Sequence, residues 1–539
     1  MKQILRVGLM VLLAAAAGVG SAWGKGNEYT DRKGVTWEYW EIEAGKTCSI
    51  GIPEGNRGSI SGFVKIPEAV VVGGVSIKVV RIVADAFEGC SELTGVSIPD
   101  GVTEIGEWAF NGCSGLTEVT IPDGVTNIGN GVFNRCIGLT SVTIPGSVTK
   151  IGGRAFDGCS GLTGVTIPDG VTNIENGVFN RCIGLTSVTI PGSVTVIGEE
   201  AFYCCSGLTS VTIPSSVKAI GNYAFDGCIG LTAVTIPSSV TKIGRGAFID
   251  CTGLKGVTIS EGVTEIGEST FMGCSGLTSV TIPESVTQIG GWAFVDCSGL
   301  KEVTIGTGVT TIGKYAFANC SKLNRVYWLA DANCSVGDGA FEEIASPATL
   351  YVRQEEKTAI EKTWWAKKYF STVVVGYVVT FKDGEGNKLG EQLVEHKGMA
   401  SESKAPTKEG YIVEWQLDGK KYDFSKPVTH NITLVAVWKK KEKSTPSTPK
   451  DPKDLKTAVE SVQLAGVRVV RNPVGEALEL EGMERAARVE VYSVVGARVH
   501  AEVLRGEPRV VIDAQGWASG VYVVKVEASD GAKTLRVVK

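Results

Sequence analysis

Apolar residues recur along most of the chain at a fixed interval of 23 residues. In one such unit, apolar side chains stand at Val119 and Ile121, and again at Val125 and Ile128. Side chains on a β-strand alternate between its two faces, so Val119 and Ile121 would point inward while their polar neighbours face solvent. Pro122 would end this strand, because proline cannot donate to the hydrogen-bond ladder. The pattern predicts a short strand, a second extended segment and a closing turn in every unit.

A phenylalanine and a cysteine mark the end of each unit, three positions apart, as in Phe133 and Cys136. A repeat of this length indicates a solenoid, in which each coil buries its apolar face by stacking on its neighbours. We expect these cysteines to be buried thiols that pack like small apolar side chains, although adjacent coils would lie close enough for disulfides. The eleven cysteines at this spacing are Cys90, Cys113, Cys136, Cys159, Cys182, Cys205, Cys228, Cys251, Cys274, Cys297 and Cys320.

The charge and the hydropathy narrow the range of partners. The 539 residues carry a formal net charge of -5, and lysines and arginines are scattered among the acidic residues. Such a chain offers no basic surface for nucleic acid.

Lys2 and Arg6 precede an apolar run over 7–19, which predicts a secretory signal peptide. No later stretch has the length of a transmembrane helix, so we expect the mature protein to leave the cytoplasm without one.

Residues suited to catalysis are scarce in the repeats. The three histidines, His396, His430 and His500, all lie beyond them. Histidine is the commonest general base, and the sequence contains no familiar catalytic motif or phosphate-binding loop. Residues 135–147 recur unchanged at 181–193, and copied units argue against one irreplaceable catalytic site. We therefore expect a binding protein and not an enzyme, with no cofactor and no metal site.

Aromatic residues are the candidates for contact with a partner, because aromatic side chains anchor many protein interfaces. Four of them share one position just before the Ala-Phe pair of their units, and two more replace small strand residues near the end of the repeats. The alternative is partial burial over the next coil or a cap, since scattered surface aromatics are common. The six candidate contact residues are Trp108, Tyr223, Trp292, Tyr315, Tyr327 and Trp328.

The Ile-Pro step and the Ala-Phe-x-x-Cys ending, as in 280–283 followed by 293–297, closely resemble the BspA-type leucine-rich repeat. The resemblance covers residues 60–350, with departures such as Glu175, which replaces a glycine and leaves the apolar positions unchanged. It implies a surface or secreted protein that adheres to a host matrix protein, a glycan or a bacterial cell surface. The alternative is a structural stalk or surface-layer component without a specific receptor.

A later segment is similar to the Listeria-Bacteroides repeat, a small β-grasp module of secreted proteins. The similarity lies in a Pro-Thr-Lys-Glu-Gly-Tyr motif at 406–411, a Tyr-Asp-Phe motif at 422–424 and an Ala-Val-Trp ending at 436–438. Val413 to Trp415 departs from this family, because it lacks the usual glycine before the tryptophan. The resemblance implies a spacer or a weak binding unit.

The last part of the chain resembles the type A C-terminal sorting domain of the type IX secretion system. Its Asn-Pro-Val start, Gly-Val-Tyr step and basic last residue carry the resemblance, which implies recognition by type IX secretion machinery and export to the cell surface or the medium. Whether the domain is then removed stays open, and an ordinary Ig-like terminal domain is the alternative. The residues of the secretion signal would be Asn472, Pro473, Gly520, Tyr522 and Lys539.

We predict a mainly β chain in which a leucine-rich-repeat solenoid precedes a small β-grasp module and a C-terminal Ig-like β-sandwich. A capping strand would carry Trp37, and a capping helix would carry Ile360 and Trp364, four positions apart. The predicted segments are a signal peptide (1–24), an N-terminal cap with degenerate first repeats (25–80), BspA-type repeats (81–350), a C-terminal cap (351–376), a β-grasp module (377–439), a linker (440–461) and a sorting domain (462–539).

Overall fold

The computed structural model describes residues 26–402 and 411–440, and the backbone of seven strands between 468 and 538. The chain divides into two compact units, 1–440 and 441–539. The predicted signal peptide, and the predicted linker beyond Lys440, lie outside the described residues.

A first column of parallel strands comes from the start of each repeat. The strands pair in register, so Val119 lies between Val96 and Val142 of the neighbouring coils. Val119 and Ile121 are buried and the polar residues beside Val119 are exposed, which confirms the predicted alternation. The strands of this column are Gly62–Lys65, Leu93–Ser97, Glu118–Thr120, Ser141–Thr143, Gly164–Thr166, Ser187–Thr189, Ala233–Ile236, Gly256–Ile259, Ser279–Ile282, Glu302–Ile305, Arg325–Trp328, Thr349–Val352 and Thr372–Val375.

A second column of parallel strands comes from the second extended segment of each repeat. These strands begin two residues later than the start at Val125 predicts, because the Val125 amide donates to the Pro122 carbonyl (3.0 Å) in a turn. The strands of this column are Val75–Ile82, Glu104–Ile105, Asn127–Ile128, Lys150–Ile151, Asn173–Ile174, Val196–Ile197, Ala219–Ile220, Lys242–Ile243, Glu265–Ile266, Gln288–Ile289, Thr311–Ile312 and Ser335–Val336. The mainly β solenoid of 23-residue repeats is confirmed.

Phenylalanines from Phe87 to Phe341 form a stacked column in the core of the solenoid. Along this column, neighbouring ring centroids lie between 4.9 and 5.6 Å apart, and the rings are within 17° of parallel. The cysteines are free thiols beside this column. In the coils from Cys113 to Cys320, the thiol donates to a phenylalanine carbonyl of the preceding coil, as Cys136 does to Phe110 at 3.2 Å. Burial raises the pKa of the Cys90 thiol to about 11, and it raises that of the Cys136 thiol well above its ordinary value. The thiols therefore fill space and also satisfy a buried carbonyl.

A glycine after the second strand brings adjacent coils into close contact. The Gly152 amide donates to the Ile128 carbonyl one coil earlier, at 2.8 Å. A Cβ atom at Gly152 would lie 2.6 Å from the backbone nitrogen of Asn130, which is closer than real Cβ atoms approach. This position therefore requires glycine for the coils to close on each other.

Glu175 occupies the equivalent position in the next coil and has the Cβ atom that this contact excludes. The ladder of the second column is interrupted at this step, between Lys150–Ile151 and Asn173–Ile174, whereas the strands on either side continue as two eight-stranded sheets. The sequence pattern predicted no effect of Glu175, because this residue leaves the apolar positions unchanged. In the structure, the ladder of the second column is open at the step where Glu175 replaces the glycine.

We expect the variant Gly221→Ala to lower the free energy of unfolding by about 1–3 kcal/mol, through forced separation of two coils and a weakened backbone hydrogen bond. A Cβ atom there would lie 2.5 Å from the Gly198 carbonyl carbon, and the Gly221 amide donates to Ile197 at 2.8 Å. The control Glu175→Ala should change stability by about 0.5 kcal/mol or less, because the ladder is already open there. Thermal unfolding of both variants tests this, and equal effects would contradict it.

Both ends of the solenoid are covered by aromatic residues. At the first end, antiparallel strands Asn27–Thr30, Thr36–Glu43 and Thr47–Gly51 place the buried Trp37 ring 6.0 Å from Phe87, edge to face. A 3-10 helix at Glu54–Ser59 follows, and strand Ala69–Val72 pairs antiparallel with the first strand of the second column.

At the other end, two short helices, Lys357–Ile360 and Trp364–Tyr369, cover the last coils. The residue that packs here is Trp365, which is buried, whereas the predicted Trp364 is 49% exposed. The helix ends after Ile360 and restarts at Thr363, whose hydroxyl accepts from the Ala366 amide. Because of this restart, the tryptophan that faces the core is one residue later than in a continuous helix. The prediction was therefore right for Ile360, which is buried, and wrong for Trp364.

Residues after the caps form a separate five-stranded sheet with its own core around Phe381 and Trp415, whose rings meet edge to face at 4.9 Å. The sheet is mixed, with both parallel and antiparallel pairs of strands. Three side-chain contacts hold it against the solenoid, of which Arg353 to Glu391 at 2.7 Å is the most buried. The strands in sheet order are Lys388–Val394, Tyr377–Lys382, Ile432–Lys440, Tyr411–Leu417 and Lys420–Lys421.

The second unit is built from antiparallel pairs in two sheets. The order of the first sheet is Arg468–Arg471, Ala477–Glu481 and Arg509–Asp513, and that of the second is Arg498–Val503, Arg488–Ser493, Val521–Ala528 and Gly531–Val538.

Candidate binding surface

The outer face of the first strand column is uniform. Its central residues are exposed threonines in most coils, such as Thr120 and Thr143. A second set of threonine hydroxyls donates to the carbonyl of the preceding coil, as Thr186 does to Thr163 at 2.9 Å. Those hydroxyls are used within the solenoid itself, and this face gathers no cluster of aromatic or charged side chains in the central coils.

The turns that close the coils form a different surface, which we call the turn face; residues 130–138 are one such turn. Two positions in each turn adopt a left-handed backbone, as at Gly131 (φ 60°) and Arg135 (φ 56°). The amides there donate to the next coil, for example from Arg135 to the Asp157 carbonyl at 2.7 Å. The turns are therefore fixed by the backbone, and variation in their side chains does not disturb the coil.

The first of these positions holds the predicted aromatic residues, and each lies against the following coil. A Cβ atom at Gly131 would lie 2.2 Å from the ring of Trp108, and one at Gly246 would lie 2.7 Å from the ring of Tyr223. Both rings are half-buried. Glycine in the next coil therefore makes room for each ring.

Trp292 and Tyr315 are the more exposed members of this aromatic set. They are 41% and 38% exposed, and their rings stack with centroids 6.1 Å apart. The ring of Tyr315 in turn lies over Gly339. About two fifths of each side chain is exposed to solvent, so this stacked pair is available for contact.

Tyr327 and Trp328 occupy opposite faces of one strand. Trp328 takes the inward position that Ile305 holds one coil earlier, has no exposed surface, and stacks on Trp365 of the cap at 4.5 Å. Trp328 therefore cannot contact a partner, contrary to the sequence analysis. Tyr327 faces outward, stacks on Tyr351 at 4.9 Å and lines a cleft beside the five-stranded sheet. Burial raises the pKa of Tyr327 to about 12.

A groove of about 920 Å³ lies on the turn face between Trp108 and Glu200. Three arginines from successive coils line it, Arg135, Arg154 and Arg181. The sequence pattern predicted Trp108 as a contact residue but not the arginines, because an isolated arginine in a turn resembles an ordinary solvated side chain. The available signal was the Asn-Arg pair before Cys136 and Cys182, where most coils have a glycine, aspartate or asparagine before the cysteine.

The stems of two of these arginines lie over glycines of the next coil. A Cβ atom at Gly158 would meet the Cγ of Arg135 at 3.5 Å, and one at Gly177 would meet the Cγ of Arg154 at 3.1 Å. The guanidinium carbon of Arg181 lies 5.6 Å from the centre of the Tyr203 ring, within the range of a cation–π contact. Backbone and neighbours thus position all three side chains along the groove.

Asp157 lies among the arginines in this groove. Burial raises the pKa of its carboxyl group, and the positive charges of Arg181, Arg154 and Arg135 oppose that rise. Beside it, Asn180 is 3% exposed, its side-chain amide donates to Glu200 at 3.0 Å, and its amide oxygen has no hydrogen-bond partner. The groove therefore contains both charge and unused hydrogen-bonding capacity.

Residues 80–209 and 195–324 match the model of the BspA-type leucine-rich repeat region. The chain belongs to the BspA-type leucine-rich repeat proteins. Residues 377–437 match the Listeria-Bacteroides repeat domain, and residues 471–539 match a secretion system C-terminal sorting domain. These matches confirm the three resemblances found in the sequence.

Several solved structures are similar to this BspA-type protein. A leucine-rich repeat protein from Bacteroides ovatus ATCC 8483 is 26% identical, with 66% of this chain and 100% of that chain covered and a TM-score of 0.42. A leucine-rich cell surface protein from Faecalibacterium prausnitzii A2-165 is 33% identical, with 57% and 95% covered and a TM-score of 0.37. A leucine-rich repeat protein from T. pallidum is 27% identical, with 42% and 90% covered and a TM-score of 0.30. A search of curated proteins found no significant match.

The sorting domain indicates that this BspA-type protein is secreted across the outer membrane to the cell surface by the type IX machinery. In the described part of the chain, no helix has the length and hydropathy needed to cross a membrane. Among the predicted signal residues, Tyr522 lies in strand Val521–Ala528, where only the backbone is described. Four others lie outside the described residues: Asn472, Pro473, Gly520 and Lys539.

Proposed function

We propose that this surface protein is an adhesin, which binds a host matrix protein, a glycan or the surface of another bacterial cell through its turn face. The observation that carries the proposal is the distribution of exposed apolar side chains. In the repeats at 81–350, six large apolar residues are exposed, and all except Val196 belong to the turn face. The five on the turn face are Ile137, Ile183, Ile229, Trp292 and Tyr315.

Exposed apolar side chains gathered on one face support an interaction surface, because soluble proteins rarely collect them without a use. The three isoleucines occupy one position, directly after the cysteine, where most other coils have serine or threonine. Packing of the coil does not explain them, since they are 50–53% exposed. Affinity would arise from several modest contacts and from the many copies displayed on one cell.

The test is binding of the purified protein to a panel of matrix proteins, glycans and whole cells. We expect saturable binding by the wild type, and at least a tenfold weaker affinity for the double variant Trp292→Ser with Tyr315→Ser, because such aromatic residues often dominate binding energy. The matched control, Thr120→Ala with Thr143→Ala on the strand face, should stay within about twofold of wild type.

The competing function is a structural stalk without a specific receptor. The uniform strand face, whose threonine hydroxyls are used between coils, is the observation that favours it. If the wild type binds nothing in the panel saturably, the adhesin proposal is wrong and the stalk is preferred. If both double variants weaken binding equally, binding does not use the turn face.

A further inference from the structure

The groove on the turn face has arginines where the fold has no need of them. Arg135 and Arg181 have a left-handed backbone (φ 56° in each), at a position that is glycine in coils such as those of Gly112 and Gly227. A side chain other than that of asparagine or aspartate is strained in this conformation, which favours glycine. Strain of this kind is commonly kept where the side chain has a function.

The polar groups of the groove are only partly used within the protein. The arginine salt bridges among the described residues involve other arginines, namely Arg57, Arg81, Arg245, Arg325 and Arg353. The guanidinium groups of the groove thus keep donors for a ligand, and each can hold a carboxylate or sulfate by two hydrogen bonds.

The spacing of the arginines fits a linear repeating ligand. The phenylalanines of their coils, Phe133, Phe156 and Phe179, are separated by 5.4 and then 5.6 Å. Arg135 and Arg181 are two coils apart, so their attachment points are separated by roughly twice one coil spacing. That distance is close to the length of a disaccharide, the unit in which acidic groups recur along many acidic polysaccharides.

The remaining lining residues distinguish a sugar from a densely charged ligand. The carboxylates of Asp157 and Glu200 lie among the three guanidinium groups, and they would repel a ligand with an acidic group at every step. The same carboxylates can accept hydrogen bonds from hydroxyls. Trp108, Ile137 and Ile183 add flat or apolar surface for the C–H faces of sugar rings. A ligand that alternates acidic groups with hydroxyls satisfies both sets of residues.

We propose that this groove binds a linear acidic polysaccharide, with Arg135 and Arg181 holding acidic groups on sugars about one disaccharide apart. Arg154 contacts the sugar between them, and Trp108 covers one end. The inference rests on the proposed adhesin function, for which it names one class of ligand and one site.

The test compares three polymers bound to the purified protein: chondroitin sulfate, which has sulfate and carboxylate groups, hyaluronan, which has carboxylates alone, and neutral dextran. The main variant is Arg135→Gly with Arg181→Gly. Glycine relieves the left-handed backbone, so this variant should unfold at a temperature no lower than wild type. The control is Lys150→Gln with Lys218→Gln, which removes two exposed charges near the second strand column.

We expect saturable binding of at least one acidic polymer at physiological salt, at least a tenfold loss in the arginine variant and less than a twofold change in the lysine control. Chondroitin sulfate binding alone would assign a sulfate site, and binding of both acidic polymers a carboxylate site. Equal losses in both variants, equal binding of dextran, or no acidic polymer bound would each overturn the proposal. Binding to matrix proteins or cells that survives such a result would leave the adhesin function standing.

Discussion

Replacing Phe202 by alanine should lower the free energy of unfolding by about 3–5 kcal/mol, the largest stability effect we expect from one substitution in the solenoid. The Phe202 ring has no exposed surface and stacks on Phe179 at 5.5 Å and on Phe225 at 5.2 Å. Its loss would leave a cavity between two coils and remove two aromatic contacts worth about 0.5–1.5 kcal/mol each beyond their area. Because each coil is stabilised only by contacts with its neighbours, no other part of the array compensates for the lost packing.

The matched control is Phe63→Ala, in which the same atoms are removed from a side chain that is 59% exposed. We expect a change of about 0.5 kcal/mol or less in this control. Equilibrium denaturation of the two variants, followed by fluorescence and circular dichroism, provides the comparison. If Phe202→Ala is no more harmful than Phe63→Ala, the stacked phenylalanine column is not the main source of stability.

Deleting residues 471–539, the segment that matches the sorting domain, should abolish surface display and leave the protein in the periplasm. The predicted signal peptide would still direct the first export step, whereas the outer-membrane machinery would lack the domain that it recognises. Protease treatment of intact cells measures the effect, since a protein on the surface is degraded and a periplasmic one is protected. We expect the protease-accessible fraction to fall to background.

The control for the deletion is the transfer of residues 471–539 to the C-terminus of an unrelated periplasmic protein, which should then reach the surface. A variant that lacks only residues 441–461, a predicted linker, should still be displayed. Continued display of the protein without residues 471–539 would show that another part of the chain directs its export.

The repeating core could be predicted from the sequence because its chemistry is periodic. Every coil places the same apolar residues at the same positions, so the strand column around Val119 and the buried Cys136 follow from the spacing and from the alternation of a β-strand. In the C-terminal cap, the identity of the buried tryptophan could not be predicted in this way. A single capping threonine, Thr363, shifts which tryptophan is buried, and a one-residue shift is invisible to periodicity.

The groove could be predicted only in part, because it depends on the shape of the turn and not on the apolar pattern. Trp108 could be predicted as a contact residue because it is aromatic. The position of the Arg135 side chain depends instead on its left-handed backbone and on Gly158 in the next coil, which leaves space for the arginine stem. The same limit applies to the open step at Glu175, because the apolar pattern continues through that coil and gives no sign of the interrupted ladder. Features such as the groove and the open ladder therefore depend on contacts between coils, which the spacing of residues along the chain does not reveal.

The thiol-to-carbonyl hydrogen bonds have a consequence for how this protein changes over generations. From Cys113 to Cys320, the thiol of each coil reaches back 26 residues, as Cys159 does to Phe133 at 3.1 Å, so adjoining coils are joined in one fixed register. Insertions and deletions of whole repeats preserve that register, whereas any other length breaks it. The identical stretches at 135–147 and 181–193 carry Arg135 and Arg181 with them. These copies lie 46 residues apart, which is two repeats. Recombination between them can therefore lengthen or shorten the row of arginines by two coils at a time, while every coil keeps its hydrogen-bonded neighbours.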